Sequence, residues 1–210
     1  MRAGSIVVTV VLAASLAACT GGGDGNGSGE TASSGGQTAD HARQLIEASD
    51  LSDPATIGAL EEIRFTDGGV QAAREVLEGG AEGDALWAAT WVYATSGTDP
   101  APLERLLDNA DPTVRVLAAA ALLSLGEPAA FDALVTAVGS DEPLRGSVPP
   151  GTVSGFATFT LTRYTGTDLG GTEGAPAADV QAAAASWAAW LDQHRDDLAF
   201  DPSTGMWGTG

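Results

Sequence analysis

Lysine is missing from this chain. All nine basic residues are arginine, set against 28 acidic ones, for a formal net charge of −19. A surface of that sign repels phosphate backbones and anionic headgroups, which argues against nucleic-acid binding and against electrostatic adhesion to a bilayer. Cysteine occurs once, at Cys19, so no disulfide framework can form. Histidine occurs twice, at His41 and His194, each in a polar context with no second ligand at helical spacing, and no metal site is expected. Long apolar runs are also lacking. The longest, Ile6 to Leu16, falls short of the roughly 20 residues needed to span a hydrocarbon core.

That short run has a context of its own. It follows a free amino terminus and Arg2, and small residues and a cysteine come after it, the three-part order of a secretory signal. The segment Leu16-Ala17-Ala18-Cys19 resembles the lipobox of bacterial lipoproteins. The resemblance implies cleavage between Ala18 and Cys19, diacylglycerol on the Cys19 thiol and acylation of the new amino terminus. One acyl chain anchors only marginally, whereas paired chains hold stably, so the lipid is the expected membrane partner. The expected location is the extracytoplasmic face of a cell membrane. The alternative is an ordinary secretory signal followed by an incidental thiol. A lone free thiol outside the cytoplasm would be a liability, which favours the lipid.

Thr20 to Thr38 is Gly, Ser, Thr and a few polar residues, a composition that cannot bury apolar surface and is predicted to stay disordered as a spacer. Asp24, Asn26, Ser28 and Gly29 match the opening of a calcium loop, but the twelfth position is Gly35 and no periodic helix flanks it. The organisation expected is a leader over 1–18, a lipid-bearing cysteine and linker over 19–39, and one helical domain over 40–210, long enough for a sizeable core.

Internal periodicity governs the reading of that domain. Pro100, Leu103, Leu106 and Leu107 align with Pro128, Phe131, Leu134 and Val135 at a constant offset. Each unit reads as helix, tight turn, helix. In the clearest, Leu103, Leu106 and Leu107 form one stripe, and Val114, Leu117, Ala118, Ala121, Leu122 and Leu125 form the next at 3, 4 spacing. Asp111 suits an N-cap, Pro112 the first helical position and Gly126 a left-handed close. Asp53-Pro54 and Asp99-Pro100 repeat the start signal. Upstream, a first helix is predicted over Val70 to Leu77 and a second over Asp84 to Ala94. Downstream, Val153, Phe156, Thr160, Leu161 and Tyr164 continue the pattern after an insertion at Glu142 to Gly151.

Pro100 to Asp141 resembles HEAT repeats of the short bacterial type found also in bilin lyases, with D-P-T-V-R at Asp111 to Arg115 matching the inter-helix turn. The resemblance implies an all-α fold, an α-solenoid of helix pairs in which each unit buries its apolar face against its neighbours. It also implies that Arg115 braces Asp111 as structural glue and that the second helices line a concave surface. Leu161 to Gly171 followed by Trp187 and Trp190 resembles the terminal segment of such proteins. This predicts a capping helix with Trp187, Trp190 and Leu191 inward and Asp192, Gln193 and His194 outward. The tail through Trp207 is expected to fold over it.

Chemistry is sparse. Ser154 sits in G-T-V-S-G, which is not the hydrolase elbow, and Glu61-Glu62 and Asp196-Asp197 point to different sides of a helix. No catalytic residue, cofactor or metal is expected, and lyase chemistry in HEAT-like relatives transfers fold only. The feature that suggests binding is the pair Trp87 and Trp91, one turn apart and off the apolar stripe, at positions that correspond to Val116 and Ala120 in the next unit. They form either an aromatic patch for a peptide or glycan on the concave face, or core packing near Ile57, Leu60 and Ile63, the commoner fate of bulky aromatics. The expected role is a non-catalytic scaffold that binds another envelope protein. A ligand-binding lipoprotein is the alternative, and a lyase-like enzyme a remote one.

Overall fold

The structure, a computed structural model, describes residues 32–147, 150–171 and 173–209, with side chains from residue 38 onward. Cys19 and the motif Leu16-Ala17-Ala18 lie outside the described residues. Within them the chain is all-α in class, with nine helices and two small hairpins.

The helices are α1 (Ala32–Glu47), α2 (Pro54–Ile63), α3 (Asp67–Glu78), α4 (Gly83–Ser96), α5 (Ala101–Glu104), α6 (Pro112–Ser124), α7 (Ala130–Val138), α8 (Val153–Thr165) and α9 (Ala177–His194). Pro143–Leu144 (β1) pairs with Gly151–Thr152 (β2), and Leu198–Asp201 (β3) with Met206–Thr209 (β4), both antiparallel. The odd helices pack α1 on α3, α3 on α5 and α7 on α9, and the even ones α2 on α4, α4 on α6 and α6 on α8. Consecutive helices α3 and α4, α5 and α6, and α7 and α8 also touch.

The starts follow the capping chemistry. The Asp53 and Asp111 carboxylates accept from Ala55 N and Thr113 N, each at 2.9 Å, and Asp99 accepts from Ala101 N at 3.1 Å. Thr66 and Thr152 cap α3 and α8 in the same way, accepting from Gly69 N and Gly155 N. Gly126 closes the α6 unit at φ +88°, and the Phe200 ring lies 2.7 Å from where a Cβ would stand, so both conformation and space call for glycine.

Three boundaries differ from expectation. α1 begins at Ala32, inside the segment that composition assigns to the spacer. Ala42 and Ile46 anchor this helix with no exposed surface, and extending a formed helix is far easier than nucleating one. The unit with the clearest sequence signature has the shortest first helix. After α5 the chain continues with tighter bonds, Leu106 N to Leu103 O at 2.9 Å and Leu107 N to Glu104 O at 3.2 Å. Pro100 and Pro102 supply no amide to this segment, yet Leu103 and Leu106 still reach the core. The tail forms the β3–β4 hairpin, which periodicity did not foretell.

The core centres on α6, which touches α4, α5, α7 and α8. Val114, Val116, Ala118, Ala119, Leu122 and Leu123 are wholly buried, and only Pro112, Arg115 and Ser124 of the helix are partly exposed. A helix apolar on every side has to be surrounded. The hairpin completes the enclosure at its C-terminal end. Trp207 packs edge-on against Phe131 at 5.1 Å, and its indole Nε1 donates to Leu123 O at 3.0 Å. In α9, Trp187 and Leu191 are buried and Trp190 is half-buried. His194, expected outward, lies half-buried against Trp190, with ring centroids 5.2 Å apart and planes tilted by 47°. Arg195 holds Asp132 of α7 through two bonds, 2.8 and 2.6 Å.

Two outcomes follow. Trp207→Phe keeps the packing and loses the bond to Leu123, so urea unfolding should show a loss of about 1 kcal/mol, whereas Trp207→Ala should lose about 3–5. The Arg195 bond lowers the Asp132 carboxyl below its ordinary 3.8. The clasp therefore contributes fully above that value and is lost as pH falls through the lowered folded value. Asp132→Asn should flatten this acid limb of a stability-against-pH curve.

Candidate interaction surface

Trp87 and Trp91 stack one turn apart on α4, ring centroids 5.7 Å apart and planes at 14°. Their fates differ. Trp87 is 3% exposed, while Trp91 is half-buried and reaches the surface. Their counterparts Val116 and Ala120 are both buried, so α6 offers no open concave face at this row.

Trp87 is covered by the insertion between α7 and α8. Gly146, at φ +69°, lies so close to the indole that any Cβ there would penetrate the ring. Neighbouring groups hold this strap in place. Arg145 Nη2 meets the Asp111 carboxylate at 2.8 Å and its Nη1 reaches Asp84 at 3.4 Å, while the Arg145 amide donates to Thr113 Oγ1 at 3.2 Å. Asp84 lies in the first turn of α4 and Asp111 caps α6, so one guanidinium ties two helix N-termini together. Asp84 also accepts from Leu51 N at 2.9 Å, which brings in the α1–α2 connection.

Arg115, expected to brace Asp111, donates instead to the carbonyls of Asn109 and Ala110. It still stabilises the turn. The Asp111 carboxylate is free to accept from Thr113 N and to meet Arg145, a partner that the segment between α7 and α8 supplies. Sequence periodicity could not reveal Arg145, since it belongs to the segment that breaks the pattern.

The Trp91 side of the stack leads to residues that the pattern also passed over. The Arg64 guanidinium carbon lies 5.2 Å from the Trp91 ring centroid and 4.3 Å from that of Phe65, and Arg64 Nε is ion-paired with Glu61 at 2.5 Å. Phe65, in the turn between α2 and α3, is 59% exposed. Trp87, Trp91, Arg64 and Phe65 thus form a ladder from core to solvent. Its signal in sequence was a phenylalanine directly after an arginine in an otherwise polar turn, R-F-T-D.

The other residues weighed for chemistry have structural partners or stand in solvent. Ser154 is buried and donates to Val138 O at 2.7 Å. Glu173 accepts from the amide and hydroxyl of Thr152, each at 3.1 Å, and its carboxylate lies beside Gly155, where a Cβ would have to push it aside. The G-T-V-S-G segment therefore builds the start of α8. His41 is exposed and far in sequence from His194, and the described residues hold no cluster of three or more metal-ligating side chains. Tyr93 is buried, donates to Asp99 O at 3.0 Å and is pushed above its ordinary pKa chiefly by that burial. An open groove of about 440 Å³ lies beside Arg43, Glu47, Glu75 and Glu82. Neither family models, curated proteins nor solved structures give a match to this chain.

The strap yields a prediction. Arg145→Ala should speed amide hydrogen exchange at Arg145's own position and at Gly151 while leaving α6 protected. Gly146→Ala should cost about 1–3 kcal/mol in equilibrium unfolding, because it adds both a left-handed strain and a clash.

Proposed function

We propose that this protein is a membrane-anchored, extracytoplasmic HEAT-repeat lipoprotein that serves as a non-catalytic interaction module for another envelope protein. The lipid sits on Cys19 after cleavage behind Leu16-Ala17-Ala18. The continuous row of even helices, α2 on α4, α4 on α6 and α6 on α8, with α1 on α3 and α7 on α9 beside it, supports the repeat reading. No helix among the described residues is long and apolar enough to cross a membrane, so on this reading the anchor is the lipid.

The observation that carries the interaction role is the ladder ending at Phe65. A half-buried tryptophan, a stacked guanidinium and an exposed phenylalanine lie side by side on a surface otherwise rich in carboxylates. Aromatics with arginine are the residue types on which binding energy concentrates. The surface used is then the α2–α4 flank and not a concave groove over α6.

A second reading, a peptide- or glycan-binding lipoprotein using Trp87 and Trp91, has one point in its favour: the buried Trp87 Nε1 has no hydrogen-bond partner. For Trp87 to reach a ligand, Gly146 and Arg145 have to lift away.

Fractionation tests the anchor. Wild type should partition with membranes and carry acyl mass on Cys19, and Cys19→Ser should be released to the soluble fraction. An unmodified Cys19 in the membrane fraction overturns the lipoprotein reading. The two binding readings separate in Arg145→Ala, which should increase glycan or peptide binding if the strap hides the site and leave it unchanged if Phe65 and Trp91 carry recognition.

A further inference from the structure

We propose that the open face of Phe65 receives an arginine or lysine side chain from the partner protein, whose cation forms the next layer of the Trp87–Trp91–Arg64–Phe65 stack. This inference rests on the interaction-module reading and supplies the chemistry of its partner.

The stack dictates the sign of what comes next. An aromatic face is the negative end of the ring quadrupole and attracts cations. Arg64 already lies 4.3 Å from the Phe65 centroid, and more than half of the residue's surface remains open to water. Arg64 does not repel a second cation strongly, because Glu61 is ion-paired with it. Glu62 and Asp67, exposed within three residues of Phe65, add negative charge on either side along the chain.

Charge removes the competing occupants. An anionic segment would meet the ring's negative face and a chain of net charge −19. A purely apolar segment would find one ring, not a groove, and would leave the guanidinium and its carboxylate partner to be desolvated. The other exposed large hydrophobic among the described residues, Phe159, has no stacked guanidinium in contact and serves as a control.

The full-length chain in detergent is titrated with a labelled glycine-serine peptide carrying spaced arginines, and with the same peptide bearing citrulline, which keeps the planar side chain and loses the charge. Anisotropy should report binding of the arginine peptide and none of the citrulline peptide at the same concentrations. Phe65→Ala keeps every charge, so bulk attraction is preserved. It should weaken binding roughly two- to fivefold, the worth of one exposed cation–π contact, with helicity unchanged. Phe159→Ala should leave affinity as in wild type. Equal affinity of wild type and Phe65→Ala, equal binding of the two peptides, or no binding of either overturns the proposal.

Photo-crosslinkers placed separately at positions 65 and 159 in intact cells divide this from the underlying reading. Adducts with a polypeptide at 159 and none at 65 overturn the cation site and leave the module standing. No adduct at either position overturns both. Adducts at 65 that persist when the partner's basic residues at the contact are replaced by glutamine also overturn the cation site.

Discussion

The fold depends on enclosing α6. Its residues from Val114 to Leu123 include Arg115 as their one charged member, and all the rest are buried. A helix apolar all round cannot stop at one layer of neighbours. Helices α4, α5, α7 and α8 supply most of the cover. Two segments outside the helices close the ends of α6: the strap reaches its N-terminus through Thr113 and Asp111, and the β3–β4 hairpin reaches its C-terminus through Leu123 and Gly126. Alanine makes this close enclosure possible. Ala118 to Ala121 present little volume, so neighbouring helices approach closely, and alanine gives up no side-chain entropy when buried.

The excess of acid over base looks at first like a liability for a compact chain. Four arginines relieve it by joining elements that are distant in sequence. Arg43 pairs with Glu75 between α1 and α3, Arg74 with Asp99 at the start of α5, Arg145 with Asp84 and Asp111, and Arg195 with Asp132. Each pair is exposed and individually weak. Their shared geometry is more telling than their energy. A planar fork can serve two acceptors at once, as Arg145 and Arg195 do, which an ammonium does less well. Scarce positive charge is thus concentrated where it orients elements, and the unpaired carboxylates are left to the surface.

The helices were legible because two local signals coincide in them, the 3, 4 spacing of apolar residues and the Asp-Pro or Gly punctuation at their ends. The reading slipped where composition acted against the helix itself. α5 had both signals, but its two prolines cut short the regular bonding, and α1 had no Asp-Pro start at Ala32 and a glycine-rich first half. Tertiary partners were not legible. The turn D-P-T-V-R encodes an arginine near Asp111, yet Asp111 meets Arg145, thirty-odd residues away in an insertion. Likewise Trp87 and Trp91 have the same helical phase within a turn, and only the seat of Gly146 on one ring and Arg64 beside the other separates core from surface. Periodicity specifies which face a residue takes; it does not specify what covers that face.

That last distinction bears on how an interaction module, as proposed above, would recognise a partner. If α6 lay open, its small residues would form a smooth apolar trough, prone to non-specific association. Closing it with the strap and the hairpin removes the trough, and the stacked pair transmits one edge of the core to the surface through Trp91. On the reading proposed above, recognition then depends on a single edge of the helical stack, where an aromatic ring stands amid carboxylates. Anchoring is left to the lipid, and specificity to the sign of a partner's charge. On that reading the two functions belong to separate parts of the chain, Cys19 for the anchor and Phe65 for recognition.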